Sequence, residues 1–233
     1  MLKSIMLVFV LLLTSHAVAI AKSAETQTQA AVVTAHPLAS QVGKEIIAAG
    51  GNAFDAAVAV SLALAVVEPY GSGLGGGGFW MLHSAAEGED VMVDGREVAP
   101  LAAHPNLYRN NDGSISKDSV NGPRAAGIPG MLAALELISQ RYGQLPWQQL
   151  VQPAVALAEE GFVPHARYQK YLAMRQAVFN AEARRIFAAA PLQAKQKIKQ
   201  QDLAATLRRI ASLGAVDFYQ GETAKRMVAA VRA

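Results

Sequence analysis

Of the side chains able to do chemistry, Arg96 is the most informative, set in VMVDGRE between Asp94 and Glu97. A guanidinium at a strand end takes a carboxylate through two parallel hydrogen bonds, a geometry that an ammonium does not reproduce. The same three residues also make an ordinary surface ion pair, which is worth little. Both readings stay open on the residues alone. Upstream, YGSGLGGGGFW places six glycines between Tyr70 and Phe79. Gly71, Gly73 and Gly76 match the G-x-G-x-x-G spacing, and Asp94 lies at a fitting distance beyond. A dinucleotide fold, however, needs a strand before that loop and a helix after it. Here a helical run precedes and a strand-like run follows, and no Lys-Ser/Thr pair completes a P-loop. The loop therefore reads as a place where backbones approach closely, which only residues lacking a Cβ permit. It can also line a pocket. Ser72 within it reads as a turn residue rather than a nucleophile.

The remaining candidates narrow the chemistry further. His36, His83, His104 and His165 are dispersed, with no H-x-x-x-H or H-E-x-x-H pair, so a metal site is not expected. The chain has no cysteine, which removes disulfides, thiolate nucleophiles and Cys-based metal sites. No G-x-S-x-G elbow occurs. No cofactor is expected.

The elements that must hold Arg96 follow from periodicity. AAVVT (30–34) reads as a short buried strand. LASQVGKEIIAAGG reads as an amphipathic helix stopped by Gly50-Gly51. Asn52 with Asp55 looks like an N-cap with its acidic partner, opening AFDAAVAVSLALAVV, apolar on every side and thus a core helix over 53–67. FWMLHS and VMVDGRE form a hairpin around AAEGED, and HPNLYRNNDGSISKDS is a surface loop. Pro129 and Gly143 bracket a helix on GMLAALELISQRY. Pro146 and Gly161 bracket WQQLVQPAVALAEE, in which Pro153 is expected to break or kink the middle. Between Arg167 and Arg209, ten Lys or Arg stand against two acidic residues. Scattered around Leu172, Phe179, Ile186 and Phe187 at helical spacing, they read as a solvated face rather than a nucleic-acid surface. GETAKRMVAAVRA is a last helix pattern that runs to Ala233 without a cap.

Composition sets the frame. The 233 residues are 52% hydrophobic and 17% charged, with a net charge of +3, which excludes global disorder and gives only mild attraction for anions. Lys3, the apolar core Ile5 to Leu13, and Ala17, Ala19 and Ala21 have the layout of a secretory signal peptide over 1–21, cleaved after Ala19 or Ala21. Nine apolar residues are too few to span a bilayer, which needs ~20. Export to the periplasm or beyond is expected, without a stable membrane anchor, followed by a hydrophilic flexible spacer at 22–30.

Taken in order, AHPLASQVGKEIIAAGGNAFDAAVAV, EPYGSGLGGGGFWMLH, VDGREVAP, GIPG, YGQLPWQQLVQPAVALAEEGF and DFYQGETAKRMV resemble the large-subunit part of gamma-glutamyltransferases from about Ala31 to the C-terminus. The resemblance implies an N-terminal-nucleophile hydrolase fold, two sheets sandwiched between helical layers (αββα), with residues 31–233 forming an incomplete, large-subunit portion whose C-terminal half is helical. It implies a precursor that cleaves itself, whose small subunit exposes a threonine that attacks the gamma-glutamyl carbonyl of glutathione and related amides. The acyl-enzyme then passes the glutamyl group to an amino acid, a peptide or water. It assigns Arg96 to the alpha-carboxylate of that group. The family's Thr-Thr-His-like motif is missing: Thr14, Thr26, Thr28, Thr34, Thr206 and Thr223 stand in other contexts. The nucleophile is expected downstream of Ala233, the chain is expected to be a truncated reading frame or gene fragment, and no activity is expected from it alone. Two alternatives share these residues: an acylase of the same fold acting on another amide, such as a beta-lactam side chain, and a non-catalytic protein that binds glutamate-like ligands or an external small subunit.

Overall fold

The computed structural model describes residues 30–188 and 196–232. The expected signal peptide and nearly all of the spacer lie outside the described residues. Helix α1 (Pro37–Ala48) begins with proline in its first turn, and the Leu38 amide donates to His36 Nδ1 at 3.1 Å. Helix α2 (Ala53–Val67) carries the expected capping box. Asn52 Oδ1 accepts the Phe54 and Asp55 amides at 2.9 Å each, and Asp55 accepts the Asn52 amide at 3.0 Å. The buried Asp55 carboxyl also accepts the Gln144 amide at 3.0 Å, tying the start of α2 to the connection between α3 (Met131–Tyr142) and α4 (Trp147–Glu160).

The core forms around α2. Val58, Ala59, Leu62, Ala63, Val66 and Val67 have no exposed surface, because α1, α3 and α4 all pack on this helix. Burial of each larger side chain contributes ~1.5–3 kcal/mol. Helix α4 then meets α7 (Gln201–Leu213), which buries Leu207 and Ile210. Shorter helices α5 (Ala166–Arg175), α6 (Ala181–Phe187) and α8 (Ala215–Gln220), with the terminal α9 (Glu222–Arg232), complete the helical side. Of the basic residues between 167 and 209, Arg185 pairs with the exposed Glu182 and Asp202, Arg208 with the partly exposed Glu159, and Arg209 with the buried Asp217. No described helix is long and apolar enough to cross a membrane.

Strands β1 (Phe79–Ser84) and β2 (Glu89–Asp94) form an antiparallel hairpin in the register Phe79↔Asp94, Met81↔Met92 and His83↔Asp90. It is the one sheet among the described residues. Alternation sends Leu82 and Val93 into the core and leaves Phe79, Met81 and Met92 on the other face at 54, 72 and 58% exposure. Helices thus cover one face of the hairpin, and apolar side chains occupy both.

Two expectations from sequence do not hold. AAVVT pairs with no strand, and Val33 is 92% exposed. A β-branched run becomes a strand only where a sheet edge accepts it, and no described edge does. Pro153 does not interrupt α4, which is continuous from Trp147 to Glu160. Proline removes one helical N–H. Burial of Leu150, Val151, Ala154 and Val155 on both sides of it keeps the rod together.

Candidate functional site

Helix α2 stops because Pro69 cannot continue it. The carbonyl group of Glu68, the residue that caps it, accepts the Gly71 and Ser72 amides at 2.9 and 2.8 Å and so reverses the chain. The glycines then run back to the hairpin. Gly78 and Gly95 exchange both amide hydrogen bonds, at 3.2 and 3.0 Å, extending the ladder one pair beyond Phe79↔Asp94. Arg96 is the first residue past that ladder.

Three backbones meet at this point. A Cβ on Gly77 would collide with the Gly95 carbonyl oxygen and lie 2.9 Å from the Glu97 nitrogen and 3.0 Å from the Arg96 Cα. From the other side, a Cβ on Gly130 would also collide with the Gly95 carbonyl oxygen and lie 2.7 Å from that of Arg96. The Gly130 and Met131 amides donate to Gly76 at 3.2 and 3.1 Å, and Val98 bridges Ile128. The segment carrying Arg96 is thus clamped between the glycine loop and GIPG (127–130). None of the loop glycines has a positive φ. Space, not backbone conformation, requires glycine at position 77. Gly71, Gly73 and Gly75, by contrast, have nothing within 4 Å of a built Cβ, and they line a cleft.

That cleft has a volume of about 430 Å³ and is walled by Ser61 and Leu64 of α2, the loop from Tyr70 to Gly77, Trp80, Glu97 and Met131. Trp80 Nε1 donates to Ser61 Oγ at 3.2 Å, which fixes the indole against α2. The Arg96 side chain is 67% exposed, and its Nε donates to Glu97 Oε2 at 3.1 Å. Its amide donates to Asp94 Oδ1 at 2.9 Å. Among the described residues the two terminal guanidinium nitrogens have no hydrogen-bond partner, so the fork is open to an anion. The Asp94–Arg96–Glu97 cluster thus forms the local ion pair, and Glu97 of that pair lines the cleft.

Behind the cleft wall lies a group of residues that sequence reading did not assemble. Tyr70 Oη donates to Glu68 Oε1 at 2.9 Å and lies 3.4 Å from His165 Nε2. Burial, followed by that hydrogen bond to Glu68, pushes the Tyr70 phenol up to about 12. The His36 ring centroid is 5.1 Å from that of His165. Only the extended His-Pro and Pro-His-Ala junctions at two helix starts hinted at these histidines. His83 pairs instead with Asp90 on the open hairpin face, and His104 sits in an exposed turn. No His, Cys, Asp or Glu cluster among the described residues could hold a metal ion. Hydroxyls of the described threonines serve local structure: Thr34 donates to the His36 carbonyl, Thr206 to that of Asp202, and Thr223 to Asp217. None lines the cleft. Ser72 does, as part of the turn.

Residues 39–233 match the family model described as gamma-glutamyltranspeptidase. A glutathione hydrolase proenzyme of Pseudomonas sp. (strain A14) is 41% identical over 214 residues, covering 87% of this chain and 36% of that protein. The acylase ACY 1 proenzyme of Pseudomonas sp. (strain V22) is 35% identical over 217 residues, covering 88% and 39%. Among solved structures, the gamma-glutamyltranspeptidase from Pseudomonas nitroreducens complexed with L-DON superposes with a TM-score of 0.83 at 38% identity, covering 89% of this chain and 62% of that one. The chain spans little more than a third of the length of these two protein relatives.

Proposed function

Since the chain belongs to the gamma-glutamyltranspeptidase family, we propose that it forms the large-subunit side of an enzyme transferring the gamma-glutamyl group of glutathione and related amides to amino acids, peptides or water. The observation that carries this reading is Arg96, anchored through Nε by Glu97 of the glycine cleft, with both terminal guanidinium nitrogens unpartnered among the described residues. In the reaction, that fork takes the alpha-carboxylate of the glutamyl group. A threonine outside these residues attacks the gamma-carbonyl with its own amine as base, forming the acyl-enzyme, and an amine or water then releases the glutamyl group. Fixing the far end of the substrate holds the scissile carbonyl in one place, which is where much of the rate gain arises.

The bare face of the hairpin fits the same reading. Phe79, Met81 and Met92 offer apolar surface on which the small subunit, cut from the same precursor, would lay the second sheet of the αββα sandwich. The 233 residues alone then lack the attacking group and have no transferase or hydrolase activity. Signal-directed export to the periplasm or beyond belongs to this proposal as well.

The test uses the chain joined to a Thr-bearing small subunit, with glutathione hydrolysis as readout. Arg96→Lys should raise KM by roughly ten- to a hundredfold, because a bidentate charged hydrogen bond contributes ~1.5–3 kcal/mol. An unchanged KM would sink the role of Arg96, and glutathione hydrolysis by the 233-residue chain alone would sink its inactivity. Similarity to the ACY 1 acylase keeps a second substrate class in play. Glu97 favours the first: an acidic group at the cleft suits a substrate with an ammonium beside its carboxylate, as glutamyl has and glutaryl lacks. Faster turnover of glutaryl than of gamma-glutamyl amides would reverse that preference.

A further inference from the structure

His36 and His165 occupy equivalent positions at two helix starts. Each is the residue before the first turn, and each uses Nδ1 as the capping acceptor. Leu38 donates to His36 Nδ1 at 3.1 Å, and Arg167 and Tyr168 donate to His165 Nδ1 at 3.1 and 3.5 Å. An acceptor nitrogen carries no proton, so the geometry sets both rings as the Nε2–H tautomer. A second proton would have to sit on Nδ1, facing the backbone N–H groups that now donate to it. Protonation and capping exclude each other at both sites.

The two rings also share one charge environment. They lie 5.1 Å apart, His36 buried and His165 partly so, and cationic forms of both would repel across that gap. The titratable and charged groups around them are few. Glu68 is buried, with Oε1 3.9 Å from His165 Nε2, and Tyr70 binds both Glu68 and His165. Tyr168 packs against Tyr70, Tyr171 stacks on it at 4.8 Å, and Arg167 begins the same helix. Burial first, and then the neighbouring His165, holds the His36 imidazole below the ordinary histidine value of 6.5, with Glu68 pulling weakly the other way. Tyr70 is therefore held by α5 through a hydrogen bond and a stack, while its own residue lines the cleft.

We propose that His36 and His165 form an acid-operated latch: with both rings neutral they cap α1 and α5 while His165 holds Tyr70 in the cleft wall, and a second proton on either ring releases the cap that ring makes and, at His165, its hold on Tyr70. The latch is independent of what the cleft binds and goes beyond the reading above. His36 takes up a proton less readily in the folded chain than when unfolded. Its contribution is therefore present above 6.5 and is lost as the pH falls through the lower folded value.

Nuclear magnetic resonance of the 233-residue chain tests this. At pH 7.5 the nitrogen shifts of both rings should report Nε2–H. As acid adds the second ring proton, intrinsic-rate-corrected amide protection should drop roughly fivefold at Leu38 for His36 and at Arg167 and Tyr168 for His165, the loss expected of one cap. Tyr70 ring signals should move together with the protection of Arg167 and Tyr168. A His36→Asn, His165→Asn variant keeps a capping acceptor without a proton site and should hold its protection across that range. Rings that titrate while the three amides and Tyr70 stay unmoved would overturn the latch, as would an Asn variant that loses protection at the same pH. Should the variant not fold, the wild-type titration decides: amide protection at each helix start that follows the titration of its own capping ring supports the latch, and protection that does not follow it rejects the latch.

Discussion

The two faces of the hairpin carry similar side chains and have opposite fates. Leu82 and Val93 are sealed beneath helices, while Phe79, Met81 and Met92, one residue out of phase, stand in the open. Hydrophobicity made both faces candidates for a core, but only the presence of a packed layer turned one of them into a core. The comparison also locates the site. Arg96 lies one residue past the hairpin ladder, where the backbones around Gly77, Gly95 and Gly130 close into a tight seam.

The largest effect expected from breaking that contrast is on the packed side. Leu135 of α3 is fully buried, and Leu135→Ala should cost ~2–5 kcal/mol in a urea melt, through lost transfer energy plus a cavity. At the seam, Gly77→Ala should cost ~1–3 kcal/mol, because the obstacles are backbone atoms that cannot rotate away. Gly71→Ala, with nothing near its Cβ, should change stability by less than ~0.5 kcal/mol. Equal effects from the two glycines would show that the loop is not a packing seam.

A smaller, pH-dependent effect is expected at Asp217. Thr223 donates to this buried carboxyl group, the Glu222 amide follows at 3.1 Å, and Arg209 lies at 3.3 Å. These bonds, that from Thr223 foremost, hold its pKa below 3.8. The unfolded chain then binds the proton more readily. The stabilisation is therefore present above 3.8 and disappears as the pH falls through the folded value. Asp217→Asn should be less stable than the parent at pH 7, and the gap should narrow on acidification, as read by thermal melts at several pH values. A gap that stays constant with pH would show that these bonds do not lower the carboxyl's proton affinity. The least change in stability is expected on the bare face. Met81→Ser should leave the midpoint within ~0.5 kcal/mol while lowering binding of an apolar dye, since it removes open apolar surface and no packing.

Much of the helical side was legible in the residues. Asn52 and Asp55 announce their capping box because cap and partner are three residues apart. The run 53–67 declares its burial by having no polar face. Other features depended on partners far along the chain. AAVVT has the composition of a strand and lacks a neighbour to pair with. Pro153 should interrupt a helix, and does not, because burial on either side outweighs one missing hydrogen bond. At the site, Arg96 could be singled out from its type and place, but its anchoring by Glu97 and its nearness to a cleft could not.

By itself, then, the sequence determined the local order: where helices start and stop, where the chain reverses, which residues alternate, and which family's motifs recur in which order. Those properties are set by side chains within a few positions of one another. Tertiary structure alone decided that Gly77 and Gly130 clamp Arg96 from two sides, that His36 meets His165, and that one hairpin face is covered while the other is bare. Such contacts join residues distant in the chain, and packing selects them only once the whole layer has formed.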